Sequence, residues 1–408
     1  VMIKIEKLVR QMDVSQPSRT PNSLELDNIS VFEWIQQAAT THAVCAMFPR
    51  VVNTILGKSS KEVSMLYFIW YARNGDTLKR LMDVMNGAQE RKFVGGSAQI
   101  SQRMAEKIGL GSVVKLDSPV GIIDQDNDPN NVCVTCRDGT QYIAKHAIAA
   151  FPPSFYKHIQ WKPELPTEKL NVSHKYSMGH FIKTAMYYKT AWWREKGLNG
   201  QIWDPEGPIL YTLDDCSSPC VPASQQGDQA RCSSPEHPAL MGFLVADDAK
   251  DWSKKTRLDR QNAIALQYAK LFKCQEALDY IEYVEHDWNA EEFIGGGCVD
   301  IPKIGSFADT SVHLRCPFGK VHFAGTELAC EWAGYMDGAI SSGERAADEV
   351  LRELNPICDA SPRHVTAGRN MHQIIPAKSA RPNAVEKVLA WAFDLCVSKS
   401  EGMRFKSS

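Results

Sequence analysis

The 408-residue sequence has no long apolar run, no marked excess of charge and no dense cysteine framework. Lys and Arg total 46 against 48 Asp and Glu, giving a net charge of -2. That balance offers no electrostatic reason to expect nucleic acid as a partner. Residues Val1 to Arg10 alternate charge with apolar side chains and form no hydrophobic leader, so no secretory signal is expected. The 12 cysteines are scattered singly from Cys45 to Cys396, which suits a reduced, intracellular setting. The most apolar part of the tail, Ala384 to Val397, is interrupted by Glu386, Lys387 and Asp394. It falls short of the roughly 20 apolar residues of a spanning helix, and no membrane span is expected. Also missing is a Gly-x-Gly-x-x-Gly turn of the kind that cradles a dinucleotide pyrophosphate. The nearest run, Gly109-Leu110-Gly111, precedes an expected strand rather than a helix. The first residue is Val rather than Met, so the natural start is expected upstream. No metal site is expected either. Cys133 and Cys136 point to opposite faces of a strand, and Cys216, Cys220 and Cys232 lie in a loop without a suitably spaced histidine.

What is present is the composition of a globular protein, with 44% hydrophobic and 23% charged residues. Ser30-Val31-Phe32-Glu33 reads as a capping box, and Glu62 to Tyr71 as a buried helix. Ile100, Met104 and Ile108 recur four apart and predict an amphipathic helix. Strands are predicted at 113–116, 120–124, 131–136 and 144–151, with a turn at Asp138-Gly139. Further strands are predicted at 179–188, 209–213, 239–245 and 320–324, and helices at 258–271 and 334–354. The alternation predicts an α/β fold of two domains, each assembled from discontinuous segments.

The strand, turn and helix of 320–354 carry the clearest chemical signal. Gly325 lets backbone N–H groups approach a ligand, and the helix behind it directs its positive end to the same place. Taken alone, this is an ordinary βα unit. The text Val321-His322-Phe323-Ala324-Gly325-Thr326-Glu327, then Trp332-Ala333-Gly334-Tyr335-Met336-Asp337-Gly338-Ala339, closely resembles the C-terminal flavin-contacting segment of the monoamine oxidase family. Asn86 to Ser97, Tyr211 to Asp215 and Met241-Gly242-Phe243 are similar to the same family in the same order. The resemblance runs from about residue 28 to 353.

The resemblance implies roles one residue at a time. Cys298, after Gly295-Gly296-Gly297, would bond FAD covalently through sulfur. Lys183 would sit inside and hold a water near the reactive flavin nitrogen, and Tyr335 would flank the substrate amine. Val120, Trp288, Gly325, Thr326, Glu327 and Met336 would contact the cofactor. Gln89, Tyr211, Phe243 and Val299 would line the substrate cavity. Val299 departs from the family, which places a second aromatic ring there. The implied organisation is a substrate domain of 1–92 and 173–290, a flavin-binding domain of 93–172 and 291–353, and a tail of 354–408.

The implied activity is oxidation of a small-molecule amine by oxygen, giving aldehyde, ammonia and hydrogen peroxide. The alternatives are a polyamine or amino-acid oxidase of the same superfamily, or a truncated, non-catalytic paralogue acting as a binding protein. A homodimer and a mitochondrial outer-membrane location are implied by resemblance only.

Overall fold

The computed structural model describes residues 1–83, 86–91, 93, 95–204, 206–216 and 238–355. The expected tail helix at 384–397 and most of the loop of Cys216 to His237 therefore lie outside the described residues. Packing divides the chain into two compact units. The first comprises Val1–Glu25, Leu66–Lys175 and the described residues from Ser306 onward. The second comprises Leu26–Met65 and Tyr176–Gly305, so that Cys298 belongs with the strands around Lys183.

In the second unit, an antiparallel four-stranded sheet runs Glu282–Asp287, Phe181–Tyr187, Ala239–Val245, Thr212–Asp214. Alternation decides its two faces. Ile182, Met186, Leu240 and Leu244 point to one side and are buried against Ile264, Ala265 and Tyr268 of the helix Arg257–Phe272. That helix begins at a capping box, Thr256 with Asp259, and is tied to the edge strand by both guanidinium arms of Arg260 on Glu285 (2.8 and 2.5 Å). Gly242 sits on the packed face because a Cβ there would lie 2.7 Å from the Tyr268 hydroxyl. The other face carries Phe181, Lys183, Met241 and Phe243, none of them buried. A short ladder pairs Tyr176–Met178 with Asp300–Pro302. Ser30 and Glu33 form the predicted capping box at the start of the helix Val31–Ala38.

In the first unit, the sheet order is Gln141–Ala144, Val132–Cys136, Val120–Asp124, Gln160–Lys162, with only the last pair parallel. A separate parallel pair joins Ala147–Ala149 to Val321–Phe323. The helix Met65–Asn74 packs Tyr67 and Trp70 against Phe307, with ring centroids 5.1 and 5.2 Å apart. The helix Met336–Leu354 follows the turn at Gly325.

Three expectations need correction. Residues 113–116 do not form a strand. Gly109 and Gly111 take positive φ, and Val113 and Val114 donate back to the Gly109 carbonyl, making a turn from residues that looked extended. The helix Ala98–Ile108 exists, but its apolar stripe is not buried, with Met104 and Ile108 51% and 55% exposed. Periodicity predicts a helix with one apolar face; it does not supply the surface that covers it. The apolar run 144–151 is not one strand: Ala144 ends the strand Gln141–Ala144, Ala147–Ala149 form another, and Pro152 and Pro153 then lead straight into a 3-10 turn at Pro153–His158. Among the described residues, no helix is long and apolar enough to cross a membrane.

Candidate active site

The second unit holds six of the expected site residues: Lys183, Tyr211, Phe243, Trp288, Cys298 and Val299. Its central feature is a row across the open face of the sheet. His286 pairs with Lys183, and Lys183 with Phe243. Tyr211 comes one residue before the Thr212 and Gly242 pair and so stands beside Phe243. Adjacent strands are about 4.8 Å apart, so the row is roughly 15 Å long. Lys183 is exposed, which differs from the interior position implied by resemblance; on this strand the buried side belongs to Ile182, Thr184 and Met186. Phe181 meets Phe243 edge-on at 6.1 Å, and Trp203 lies 5.2 Å from Tyr211. Gln201 donates from Nε2 to the Tyr211 hydroxyl at 2.9 Å. Burial pushes that hydroxyl up to about 12, so it stays protonated and can donate in turn. Trp288 follows the edge strand, 4.4 Å from the His286 ring.

Cys298 lies on a loop that close backbone approach makes possible. A Cβ on Gly296 would fall 2.3 Å from the Gly179 carbonyl, and one on Gly179 would fall 2.3 Å from the Gly297 carbonyl. Gly57 completes the contact: its carbonyl accepts from the His180 amide, and Gly179 accepts from Gly297 N–H at 3.1 Å. The glycines before Cys298 thus serve contact with the protein's own backbone. Asn289 locks the arrangement. Its Nδ2 donates to Gly179 (3.1 Å) and Gly295 (3.0 Å), while its Oδ1 accepts from the Phe181 amide (3.1 Å). The Cys298 thiol is exposed and donates to the Ile55 carbonyl at 3.4 Å. Val299, the next residue, is fully buried, so its side chain packs in the interior here and presents no surface to a ligand.

The first unit holds the other group. The parallel strands Ala147–Ala149 and Val321–Phe323 end together, Ala324 N–H donating to Ala149. Gly325 then turns at φ +129, a conformation that favours glycine, and donates to Ser342 Oγ at 2.9 Å. Thr326 Oγ1 accepts from Gly334 N–H (2.7 Å) and donates to the Tyr335 carbonyl (2.9 Å), fixing the entry to the helix Met336–Leu354. No side chain caps that helix start, so its first amides remain available to an electron-rich group. Tyr335 sits half-buried against Trp332, 5.2 Å away and edge-on; Met336 is exposed and Glu327 buried. Val120 begins the strand Val120–Asp124, and Gln89 is exposed in the turn after Asp83.

Sequence reasoning missed two residues. Asn289 has no motif, since its three partners are backbone groups scattered along the chain. Lys58 lies buried beneath the short ladder, donating to Ser177 Oγ at 2.7 Å. Burial lowers its ammonium to about 8, although Glu62 and Asp300 nearby favour the charged form.

Each unit, taken by itself, offers groups that suit part of a flavin: the exposed thiol of Cys298 in the second, and the turn at Gly325 with the uncapped helix start at Met336 in the first. Comparison with known proteins points the same way. Residues 1–351 match the model of the flavin containing amine oxidoreductase family. The chain is 35% identical over 357 residues to amine oxidase [flavin-containing] A of Canis lupus familiaris, covering 87% of this chain and 64% of that protein. It is 34% identical to amine oxidase [flavin-containing] B of Homo sapiens, covering 86% of this chain and 65% of that protein. The chain thus spans under two thirds of the length of these relatives. Among solved structures, cyclohexylamine oxidase from Brevibacterium oxydans IH-35A superposes with a TM-score of 0.78 at 30% identity, over 87% of this chain and 74% of that one. Wild-type putrescine oxidase bound to putrescine superposes with a TM-score of 0.77 at 24% identity, over 86% of this chain and 74% of that one, a likeness of fold.

Proposed function

This chain belongs to the flavin-containing amine oxidoreductase family, and on that premise we propose that it takes part in the oxidative deamination of a small-molecule amine. Amine, oxygen and water are consumed; aldehyde, ammonia and hydrogen peroxide are released. The flavin-binding domain would be formed by 93–172 and 291–353, and the substrate domain by 1–92 and 173–290. When bound, the flavin supplies the acceptor for the two electrons leaving the amine.

The chain's own residues bind, orient and exclude water. Cys298 would hold the cofactor through its sulfur, and Asn289 would hold Cys298 in place. Trp288, Val120, Gly325, Thr326, Glu327 and Met336 would contact the cofactor. Phe243 and Tyr211 would provide an apolar wall with one hydroxyl donor, and Gln89 is a further substrate residue by resemblance. Lys183 would keep a water at its ammonium, and Tyr335 would flank the amine with its ring. Val299 supplies no second ring, so the amine would be gripped by one aromatic face rather than two. The observation that most supports this reading is Lys183 standing between Phe243 and His286 on the open face of the sheet.

The test is to purify the protein with flavin supplied during expression, then measure peroxide release across primary, secondary and poly-amines and amino acids. A yellow preparation active on amines supports the proposal. Colour that stays with acid-precipitated protein, and leaves it in Cys298→Ala, supports the thioether. Lys183→Met should slow flavin reduction or reoxidation. A colourless, inactive protein would favour the binding-protein alternative, and activity confined to spermine or an amino acid would favour the other oxidases.

A further inference from the structure

At the far end of the helix Met336–Leu354 from Tyr335 lies a cluster that the proposed chemistry does not use. His146 directly precedes the strand Ala147–Ala149, and His322 is the middle residue of Val321–Phe323. The parallel register sets Val321 opposite Ala147 and His322 opposite Ile148, so both imidazoles project from the same face, their centroids 5.6 Å apart. The last turns of the helix bring Glu349 and Glu353, four residues apart, over that face.

The hydrogen bonding is incomplete in a specific way. His322, fully buried, meets Glu349 Oε2 from Nδ1 at 3.0 Å. Glu349 is itself held by Arg345 Nη1 at 2.5 Å, whose other arm donates to the Phe323 carbonyl. A carboxylate accepting at Nδ1 places the ring proton there and leaves a lone pair on Nε2. That Nε2 is buried, has no hydrogen bond, and faces Glu353 Oε1 at 3.6 Å. His146 Nδ1 is likewise buried without a hydrogen bond and stands 3.5 Å from Glu353 Oε2. Both separations are too long for hydrogen bonds of normal strength. Each is near the edge of about 3.4 Å of a tetrahedron with metal–ligand bonds near 2.1 Å, and they end on different Glu353 oxygens, so the carboxylate faces both rings, one oxygen to each. The three ligand atoms lie within 4.8 Å of one another.

We propose that His146, His322 and Glu353 form a binding site for a borderline divalent transition-metal cation, zinc first among them. Two imidazole nitrogens and a carboxylate suit such an ion, and half-exposed Glu353 leaves room for a water as fourth ligand. Glu349 and Arg345 supply the outer support that orients a ligating histidine. Lys145 and Lys320 near His146, and Arg345 on Glu349, are cations nearby that oppose the ion's charge. The site lies about 27 Å along the helix from Tyr335, so its role is to clip the helix end to two strand ends.

The test is calorimetric titration of zinc into the full-length, metal-stripped protein near neutral pH, with the Co2+ absorption spectrum as a second readout. One equivalent should bind with submicromolar affinity. The Co2+ spectrum should show tetrahedral d–d bands without the near-ultraviolet thiolate band that the chain's cysteines would produce. Glu353→Gln, a change at an exposed position, and His146→Asn should each weaken binding more than Glu349→Gln, for which about 10- to 100-fold is expected. Circular dichroism of each variant separates lost binding from lost fold. Binding of less than one equivalent, a thiolate band, or unchanged affinity in Glu353→Gln with intact fold would overturn the proposal. So would a doubly protonated His322 in the zinc-treated protein, seen by imidazole nitrogen resonance.

Discussion

Removing the Asn289 side chain should loosen the Cys298 loop by an amount that can be worked out from its contacts. Asn289→Ala deletes two donated bonds, to Gly179 and Gly295, and one accepted from Phe181. Each is worth about 1 kcal/mol net, for a ceiling of about 3 kcal/mol. Asn289 is only half-buried, so water can re-satisfy part of the set and about 2 kcal/mol is the lower expectation. At about 1.4 kcal/mol per tenfold, local opening becomes roughly 30- to 150-fold more frequent. Hydrogen exchange read by mass spectrometry tests this directly, because Phe181 N–H bonds to Asn289 itself and Gly297 N–H bonds to the carbonyl that Asn289 steadies. Both amides should lose protection, while those of the helix Arg257–Phe272 keep theirs. Asn289→Asp retains an acceptor for Phe181 but offers no donor, so Phe181 should lose less protection than Gly297. Exchange at both amides within about threefold of wild type in Asn289→Ala would refute the assignment of Asn289 as the lock.

Gly179→Ala is expected to be far more severe, because the new Cβ would meet three carbonyl oxygens at 2.3, 2.6 and 2.8 Å; little soluble protein should be recovered, and a normal yield with wild-type melting would count against the close approach. Lys58 ties stability to pH: its folded value of about 8 lies below the ordinary 10.5, so in that window the unfolded chain holds the proton that the folded one has released. Stability should therefore rise with pH across it, by about 3 kcal/mol at most, and Lys58→Met should lack this rise; a constant stability difference between the two proteins in urea melts from pH 7.5 to 10.5 excludes it. Ser30→Ala should cost about 1 kcal/mol in urea unfolding, since Ser30 Oγ accepts from Glu33 N–H at 3.0 Å; no change would mean water replaces the cap.

The sequence was most legible where a local rule and the tertiary context agreed. The strand Ala239–Val245 and the helix Arg257–Phe272 lie within a residue or so of their predicted limits, because alternation in one and capping in the other match what the core requires. Residues 113–116 misled because β-branched side chains say nothing of the positive φ at Gly109 and Gly111 that folds the chain back. The candidate site was legible mainly through resemblance. Tyr211, Phe243 and Lys183 have no spacing that links them, and only the antiparallel register brings them into line. Asn289 and the pair His146 and His322 escaped for a related reason: Asn289 matters through Gly179 and Phe181, and the two histidines through each other, all more than a hundred residues apart in sequence.

The interleaving of the two units has a consequence for how the polypeptide is made. The second unit requires Leu26–Met65 and Tyr176–Gly305 together, and the first cannot set Phe307 against Tyr67 and Trp70 until residues some 240 positions later have emerged. A ribosome therefore releases neither unit in finished form partway through synthesis. Early helices such as Met65–Asn74, buried over nearly their whole length in the final fold, must wait with apolar surface uncovered. Folding dominated by such distant closures is slow and prone to aggregation, so yield from this chain should depend on the pace of translation and on chaperone supply more than on the stability of the finished protein.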